Sequence, residues 1–315
     1  MKLLVYHTSA ETYRALLRER FPDLDVATVV AGADESALER HLADAEVLLG
    51  WRIPVAALAR APRLRWIQLT SAGADQLLDA RPDLGDVVLT NARGIHGELM
   101  ADYAVGVMVM LQFGFPRLLR LQQTRTWRHQ YTEPLAGKCL GVLGVGAIGG
   151  EIARRGAAMG MTVLGMRREP RPAEGVARMF GPDGLGELLP QCDFVVVVVP
   201  ATPGTRRMLG ERELRAMRRG ACLINVARGS VVDEAALVRA LADGWLGGAA
   251  LDVFETEPLP AESPLWVMDN VIVTAHISGE PDEYPKRVIR VVEENVARWR
   301  EGRPLLNVVD PRRGY

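Results

Sequence analysis

Cys139-Leu-Gly-Val-Leu143 is a short apolar run that opens directly onto Gly144-Val-Gly146-Ala147-Ile148-Gly149, and helical periodicity follows at once. Three glycines at this spacing leave few folds open. Gly144 permits the tight turn out of a strand, Gly146 lets bare backbone approach an anion, and Gly149 lets helix and strand pack closely. The N–H groups and dipole of the helix start then face that anion. In a strand–turn–helix context the segment reads as the pyrophosphate cradle of a dinucleotide-binding βα unit.

The rest of the chain agrees. Apolar runs alternate with helical patterns, the signature of βαβ units and parallel sheets. A first series of strands is expected at residues 2–6, 47–50, 66–69 and 87–90, with a helix at 36–43 capped by Asp34. A long helix is expected over about 97–121, followed by a loop carrying Trp127 and Pro134. A second series, at 139–144, 162–166, 194–200, 222–225, 248–253 and 271–274, forms a six-strand doubly wound pattern with helices at 148–159, 211–217 and 234–243. Phe194-Val-Val-Val-Val-Val199 is apolar on both faces, as a covered central strand should be. In the last helix, 283–301, Val288, Ile289, Val292, Val296 and Trp299 recur at helical spacing and share one face.

The fold expected is α/β, with two Rossmann-like doubly wound parallel-sheet domains and a cleft between them. Residues 1–98 plus 281–315 form a discontinuous substrate domain, and 99–280 form the dinucleotide-binding domain. The 315 residues carry a formal charge of −1, so the many arginines are balanced and no electrostatic footprint for nucleic acid or an anionic membrane exists. No apolar run approaches the roughly 20 residues of a membrane span. The chain begins on a strand-like segment rather than a signal peptide, which points to the cytoplasm. Cys139, Cys192 and Cys222 have no metal-ligand spacing and read as buried thiols; no metal is expected.

At the end of the second strand of the cofactor unit, many NAD enzymes place an acidic residue for the ribose hydroxyls. Here Arg167 stands eighteen positions after Gly149, Arg168 follows, and Glu169 comes too late. Guanidiniums suit a 2′-phosphate through charge and bidentate hydrogen bonds, so NADP(H) is favoured, with NAD(H) as the alternative. Three further segments lie at carboxyl ends of expected strands, where open α/β sheets bind ligands. They are Asn225-Val226-Ala227-Arg228-Gly229, Asp252-Val-Phe-Glu-Thr-Glu257-Pro258-Leu259, and Thr274-Ala-His276-Ile-Ser278-Gly279. An imidazole at His276 can move a proton near neutral pH. Glu257 can hold its ring, and Arg228 can bind a substrate carboxylate or polarise a carbonyl.

These segments, in this order, resemble the D-isomer-specific 2-hydroxy-acid dehydrogenase family. The resemblance implies Arg228, Glu257 and His276 as the catalytic set and places Asp252 near the nicotinamide carboxamide. With Arg167 and Arg168 read above for the 2′-phosphate, the expected cofactor contacts are Gly144, Gly146, Ala147, Ile148, Gly149, Pro200, Thr205, Val226, Ala227, Asp252, His276 and Gly279. Thr70-Ser-Ala72-Gly73-Ala-Asp75 resembles the family loop whose amides hold the substrate carboxylate, and Leu49-Gly-Trp51-Arg52 resembles the other substrate loop. Trp51 is similar to a tryptophan of the glyoxylate and hydroxypyruvate reductase branch. The implied activity is hydride transfer between NAD(P)H and C2 of a small 2-keto or 2-hydroxy acid. Substrate residues are then Trp51, Arg52, Ala72, Gly73, Arg228 and His276. A homodimer is expected through the helix near 101–111 and the Trp127 arm.

There are departures from the family pattern. Ala275 replaces the usual proline, Ser278-Gly279 reverses the usual order, and Glu280-Pro-Asp-Glu-Tyr284 is uncommon. Two other readings compete: formate or phosphite oxidation, disfavoured because formate enzymes carry glutamine where Glu257 stands, and a non-catalytic dinucleotide sensor or corepressor. His96 reads as structural, and His7, His41 and His129 have no constellation around them.

Overall fold

The computed structural model describes residues 1–315. Two compact units emerge, one of Met1–Ile95 with Pro281–Tyr315 and the other of His96–Glu280. The division falls just before a helix that starts at Gly97, whose buried face joins the core of the second unit.

In the first unit the strands are β1 (Lys2–Tyr6), β2 (Asp25–Val29), β3 (Val47–Gly50), β4 (Trp66–Leu69) and β5 (Val88–Thr90). They form one parallel sheet in the order β2-β1-β3-β4-β5. Helices α1 (Ala10–Arg20), α2 (Glu35–Leu42), α3 (Val55–Leu58) and α4 (Asp75–Leu78) connect them. Asp34 caps α2 as expected, its carboxylate accepting from the Ala37 amide at 2.9 Å. Strand β2 was not expected. Its Asp-Val-Ala-Thr-Val sequence mixes polar and apolar positions because it is an edge strand, half covered.

The second unit contains α5 (Gly97–Gln112), α6 (Phe115–Gln123), β6 (Cys139–Leu143), α7 (Ala147–Ala158), β7 (Thr162–Met166), β8 (Arg178–Phe180), α8 (Leu185–Leu188), β9 (Phe194–Val197), α9 (Glu211–Ala216), β10 (Cys222–Asn225), α10 (Glu234–Ala242), β11 (Gly248–Leu251) and β12 (Val271–Val273). Its parallel sheet runs β12-β11-β10-β9-β6-β7-β8. The expected six strands are therefore seven. The addition, β8, is a three-residue edge strand too short to show periodicity. All four residues of β9 are buried between apolar layers on both faces. Burying each such side chain contributes about 1.5–3 kcal/mol. Strand order reverses between β6 and β9, which makes their carboxyl ends the topological switch point of the sheet.

The single long helix expected over 97–121 is in fact two. Gly114 adopts a left-handed conformation (φ 65°), Pro116 follows, and α5 and α6 meet at 64°. Glycine tolerates that conformation, and proline cannot continue the preceding helical ladder. Met100, Ala101, Ala104, Val107 and Met108 of α5 are buried inside the second unit, whereas α6 buries no residue. No single helix is long and apolar enough to cross a membrane.

The carboxy-terminal helix, α11 (Tyr284–Arg300), returns to the first unit and packs on α1. Val288, Ile289, Val292 and Val296 are buried there, and Trp299 lies against Trp66 with ring centroids 5.6 Å apart.

Candidate active site

The glycine turn is built as its spacing requires. Gly144 has φ +110°, a region open to glycine, and a Cβ there would come 2.7 Å from the Val198 carbonyl oxygen. A Cβ at Gly149 would overlap the Gly144 carbonyl, so bare backbone is what lets α7 sit against the turn. Gly146 differs: a side chain there would meet nothing within 4 Å. The amides of Gly144 and Val145 donate to the Met166 carbonyl at 2.9 and 3.0 Å, which ties the turn to β7. The first bond into the helix runs from the Gly150 amide to Gly146 O, so the Ala147, Ile148 and Gly149 amides have no intrahelical acceptor. Three free donors, open space at Gly146 and the positive end of a helix together fit a diphosphate.

Arg167 follows β7 directly. Its amide donates to the Phe180 carbonyl of β8 at 3.1 Å, its side chain is half-buried, and it forms no ion pair. Arg168 is exposed beside it. Pro200 and Thr205 bracket the loop after β9, but the Thr205 hydroxyl is spent within that loop, donating to Pro200 O at 2.6 Å and accepting from the Thr202 amide at 2.9 Å. Thr205 thus shapes the loop. Val226 and Ala227 are buried just past β10.

Arg228 leaves β10 in extended conformation (φ −144°, ψ 149°) and is half-buried. Buried Asn225 organises its turn, accepting from the Ala227 amide at 3.1 Å and donating to the Arg228 carbonyl at 3.1 Å. A Cβ at the next residue, Gly229, would overlap the Phe254 carbonyl. The loop after β10 therefore lies directly against the loop after β11 that carries Glu257. Glu257 is anchored in turn: its Oε1 accepts from the Phe254 amide at 3.1 Å, and its Oε2 lies 2.8 Å from His276 Nδ1.

His276 sits in the left-handed region (φ 56°), uncommon for a residue with a side chain. Asp252, wholly buried at the end of β11, holds it there. The His276 amide donates to the Asp252 backbone carbonyl at 2.9 Å, the Ile277 amide to Oδ1 at 2.9 Å and the Ser278 amide to Oδ2 at 2.9 Å. One aspartate thus anchors three successive amides of the turn. A further donor, the Thr274 hydroxyl, reaches Asp252 Oδ1 at 2.6 Å. Because that hydroxyl spends its hydrogen on the carboxylate, the Tyr103 hydroxyl of α5, 2.8 Å away, donates to Thr274 Oγ1. Burial above all pushes the Tyr103 hydroxyl up to about 12; the Thr274 hydrogen bond pulls it partly back down, and the Asp252 charge adds a smaller upward push. Sequence reading missed Asn225, Thr274 and Tyr103. Asn225 and Thr274 sat inside the quoted segments, two or three residues from Arg228 and His276, while Tyr103 gave no signal.

In the first unit, the Ala72 and Gly73 carbonyls are turned inward, accepting from Asn91 Nδ2 and Ser71 Oγ at 2.7 Å each, and the two amides are left as donors. The Arg52 guanidinium lies 4.4 Å over the Trp51 ring and is exposed, so part of its cationic face is already stacked.

A dinucleotide cradle and a buttressed His–Glu pair at strand ends of one sheet define a dinucleotide-dependent oxidoreductase. Residues 105–278 match the family model described as the D-isomer specific 2-hydroxyacid dehydrogenase NAD binding domain. A glyoxylate reductase of Korarchaeum cryptofilum is 34% identical over 259 residues, covering 79% of this chain and 77% of its own. Two solved structures are similar along the whole chain. A D-isomer specific 2-hydroxyacid dehydrogenase of Xanthobacter autotrophicus, in complex with NADPH and MES, has a TM-score of 0.90 at 36% identity, covering 100% of this chain and 99% of that one. An NADPH-dependent glyoxylate/hydroxypyruvate reductase of Sinorhizobium meliloti, with NADP and sulfate, has a TM-score of 0.89 at 31% identity, covering 100% of both. The chain belongs to the D-isomer specific 2-hydroxyacid dehydrogenase family.

Proposed function

We propose that the protein reduces a small 2-keto acid of the glyoxylate or hydroxypyruvate kind at C2, using NADPH in preference to NADH. The Nδ1–Oε2 pair of His276 and Glu257 carries this reading. With Nδ1 engaged by Glu257, Nε2 is the ring atom left to give a proton to the carbonyl oxygen as it becomes an alkoxide. A nicotinamide held in the second unit would supply the hydride, and the proton from His276 would complete the alcohol. Asp252 fixes the turn, and hence the direction of the imidazole. Arg228 binds the substrate carboxylate or polarises the carbonyl. The free amides of Ala72 and Gly73 suit a carboxylate, and Trp51 and Arg52 complete the proposed substrate contacts.

The first unit is accordingly proposed as the substrate domain and the second as the dinucleotide domain. The Ala147, Ile148 and Gly149 amides would hold the diphosphate, with Pro200, Thr205, Val226, Ala227 and Gly279 lining the rest. Arg167, without an ion-pair partner, and Arg168 would receive the 2′-phosphate. A purely dinucleotide-sensing role is not favoured, since sensing does not need a glutamate-held imidazole. A panel of 2-keto acids assayed in parallel with NADPH and NADH tests the reading. Turnover of glyoxylate or hydroxypyruvate with the lower KM for NADPH supports it, and turnover of no 2-keto acid with either cofactor removes it.

The homodimer expected from sequence is retained as part of this proposal, with its surface changed. The α5 face at Ala101, Ala104 and Met108 is consumed by the protein's own core, so it is not available to a partner. Along α6 and the arm that follows it, Phe115 and Leu119 are exposed, as are Trp127 at 97% and Tyr131 at 94%. A second copy covering α6 and this arm would bury them. The proposed compartment is the cytoplasm, where three free thiols are ordinarily kept reduced.

A further inference from the structure

Two of the three cysteines touch. Cys139 opens β6 and is half-buried, and Cys192 lies fully buried just before β9. Their sulfurs are 3.8 Å apart. The neighbouring backbones are pinned: the Asp193 amide donates to the Cys139 carbonyl at 2.9 Å, and the Cys139 amide donates to Asp193 Oδ2 at 2.9 Å. Gly141, two residues along β6, leaves the space the Cys192 thiol fills, since a Cβ there would come 2.8 Å from its sulfur. Cys222 is apart from the pair, and burial pushes its thiol up to about 12.

We propose that Cys139 and Cys192 are a reversible redox pair, which a peroxide-class oxidant converts to an intramolecular disulfide tying the start of β6 to the entry of β9. Cys139 is the attacking sulfur. It is the accessible member, and the hydrogen bond with Cys192, chiefly, and the Arg218 charge hold its thiol below the ordinary range against burial and the Asp193 carboxylate. Arg218 is kept nearby by its 2.7 Å bond to Asp193 Oδ1.

The Cys139 thiolate attacks one peroxide oxygen and the O–O bond breaks. That oxygen remains on sulfur as a sulfenic acid, and the other leaves as hydroxide and takes a proton to become water. The Cys192 sulfur then displaces the sulfenic hydroxyl, its own proton leaving with that hydroxyl as a second water. Two thiols lose two electrons and two protons, and one hydrogen peroxide becomes two waters. The sulfurs must close by about 1.8 Å to reach the disulfide length of about 2.05 Å. The pair lies at the amino ends of β6 and β9, whereas Gly144 and Pro200 lie beyond their carboxyl ends, so the bond leaves the dinucleotide turn in place. It closes a loop of more than fifty residues and so removes entropy from the unfolded chain.

The test treats the full-length protein with hydrogen peroxide and reads intact mass, thiol count after denaturation, a non-reducing peptide map and Tm. The expected protein loses the mass of two hydrogens and retains one titratable thiol of three. The map links the Cys139 and Cys192 peptides, Tm rises by roughly 5–10 °C, turnover persists, and dithiothreitol reverses every change. Cys139→Ser and Cys192→Ala should each abolish the mass loss and the Tm rise; should Cys192→Ala fold poorly, Cys139→Ser and the unmodified protein decide. Three results would overturn the proposal: oxygen added stably to Cys139, a link between two chains, or three thiols unchanged.

Discussion

Replacing Thr274 by valine keeps the shape of the side chain and removes its hydroxyl. In the protein that hydroxyl donates to Asp252 Oδ1 at 2.6 Å and accepts from Tyr103 at 2.8 Å. The first bond is to a buried carboxylate, where a hydrogen bond contributes about 1.5–3 kcal/mol. The second leaves Tyr103 without its acceptor, adding about 1 kcal/mol for a partly buried hydroxyl. Thr274→Val should therefore lower unfolding free energy by about 2.5–4 kcal/mol in urea titrations. Asp252 keeps its three amide contacts, but its Oδ1 loses one of its two donors and is held by the Ile277 amide alone, so the carboxylate, and the His276 turn with it, is less firmly placed. A misplacement of about 1 Å can cost on the order of 10²-fold in rate, so kcat should fall by about tenfold or more.

Tyr103→Phe alone should cost only about 0.5–1.5 kcal/mol. In the double variant the phenol that valine orphans is gone, so the combined loss should be smaller than the sum by about 1 kcal/mol. Strict additivity, or a Thr274→Val protein with unchanged kcat and a loss below about 0.5 kcal/mol, would refute the hydroxyl relay as the support of the turn.

Other outcomes follow from single positions. Arg167→Asp should weaken NADPH by roughly 10- to 150-fold while leaving NADH nearly unchanged, since one charge-assisted contact is worth about 1.5–3 kcal/mol; equal effects on both cofactors would place the guanidinium away from the 2′-phosphate. Gly146→Ala should preserve Tm and raise the cofactor Kd, because its Cβ enters open space, whereas Gly149→Ala should destabilise by about 1–3 kcal/mol or more through overlap with the Gly144 carbonyl. Tm and fluorescence titrations with NADPH separate the two. At high pH, the Tyr103 hydroxyl is raised in the folded protein from about 10 to about 12. A raised value favours the protonated fold, so this contribution is complete below about pH 10 and is lost as pH climbs to about 12. Urea titrations across that window should show an alkaline decline that is shallower for Tyr103→Phe, and identical declines would contradict the assignment.

The sheet cores and the strand-end segments were legible because they are local. The glycine turn, the Asn225–Gly229 run and the His276 turn each announce themselves within six residues. Burial on both faces made β9 unmistakable, while β2 and β8 escaped because an edge strand need not alternate and a three-residue strand cannot. The break between α5 and α6 had a local signal, Gly114-Phe-Pro116, but continuous apolar spacing across it outweighed two punctuating residues. What sequence could not show is non-local. Tyr103 and Thr274 meet across 171 positions, and Cys139 and Cys192 across 53. The thiols illustrate the difference: read singly, each is a small apolar residue beside a strand, and only the β6–β9 pairing brings two of them into contact.

The most direct measurement of the central claim is steady-state reduction of glyoxylate and hydroxypyruvate by NADPH, comparing the unmodified protein with His276→Ala, alongside NADPH binding to both. The expected result is turnover by the unmodified protein, a fall in kcat of about 10²–10⁴-fold in the variant, and nearly equal cofactor affinity. A variant that turns over as fast as the unmodified protein would contradict the assignment of His276 as the proton donor.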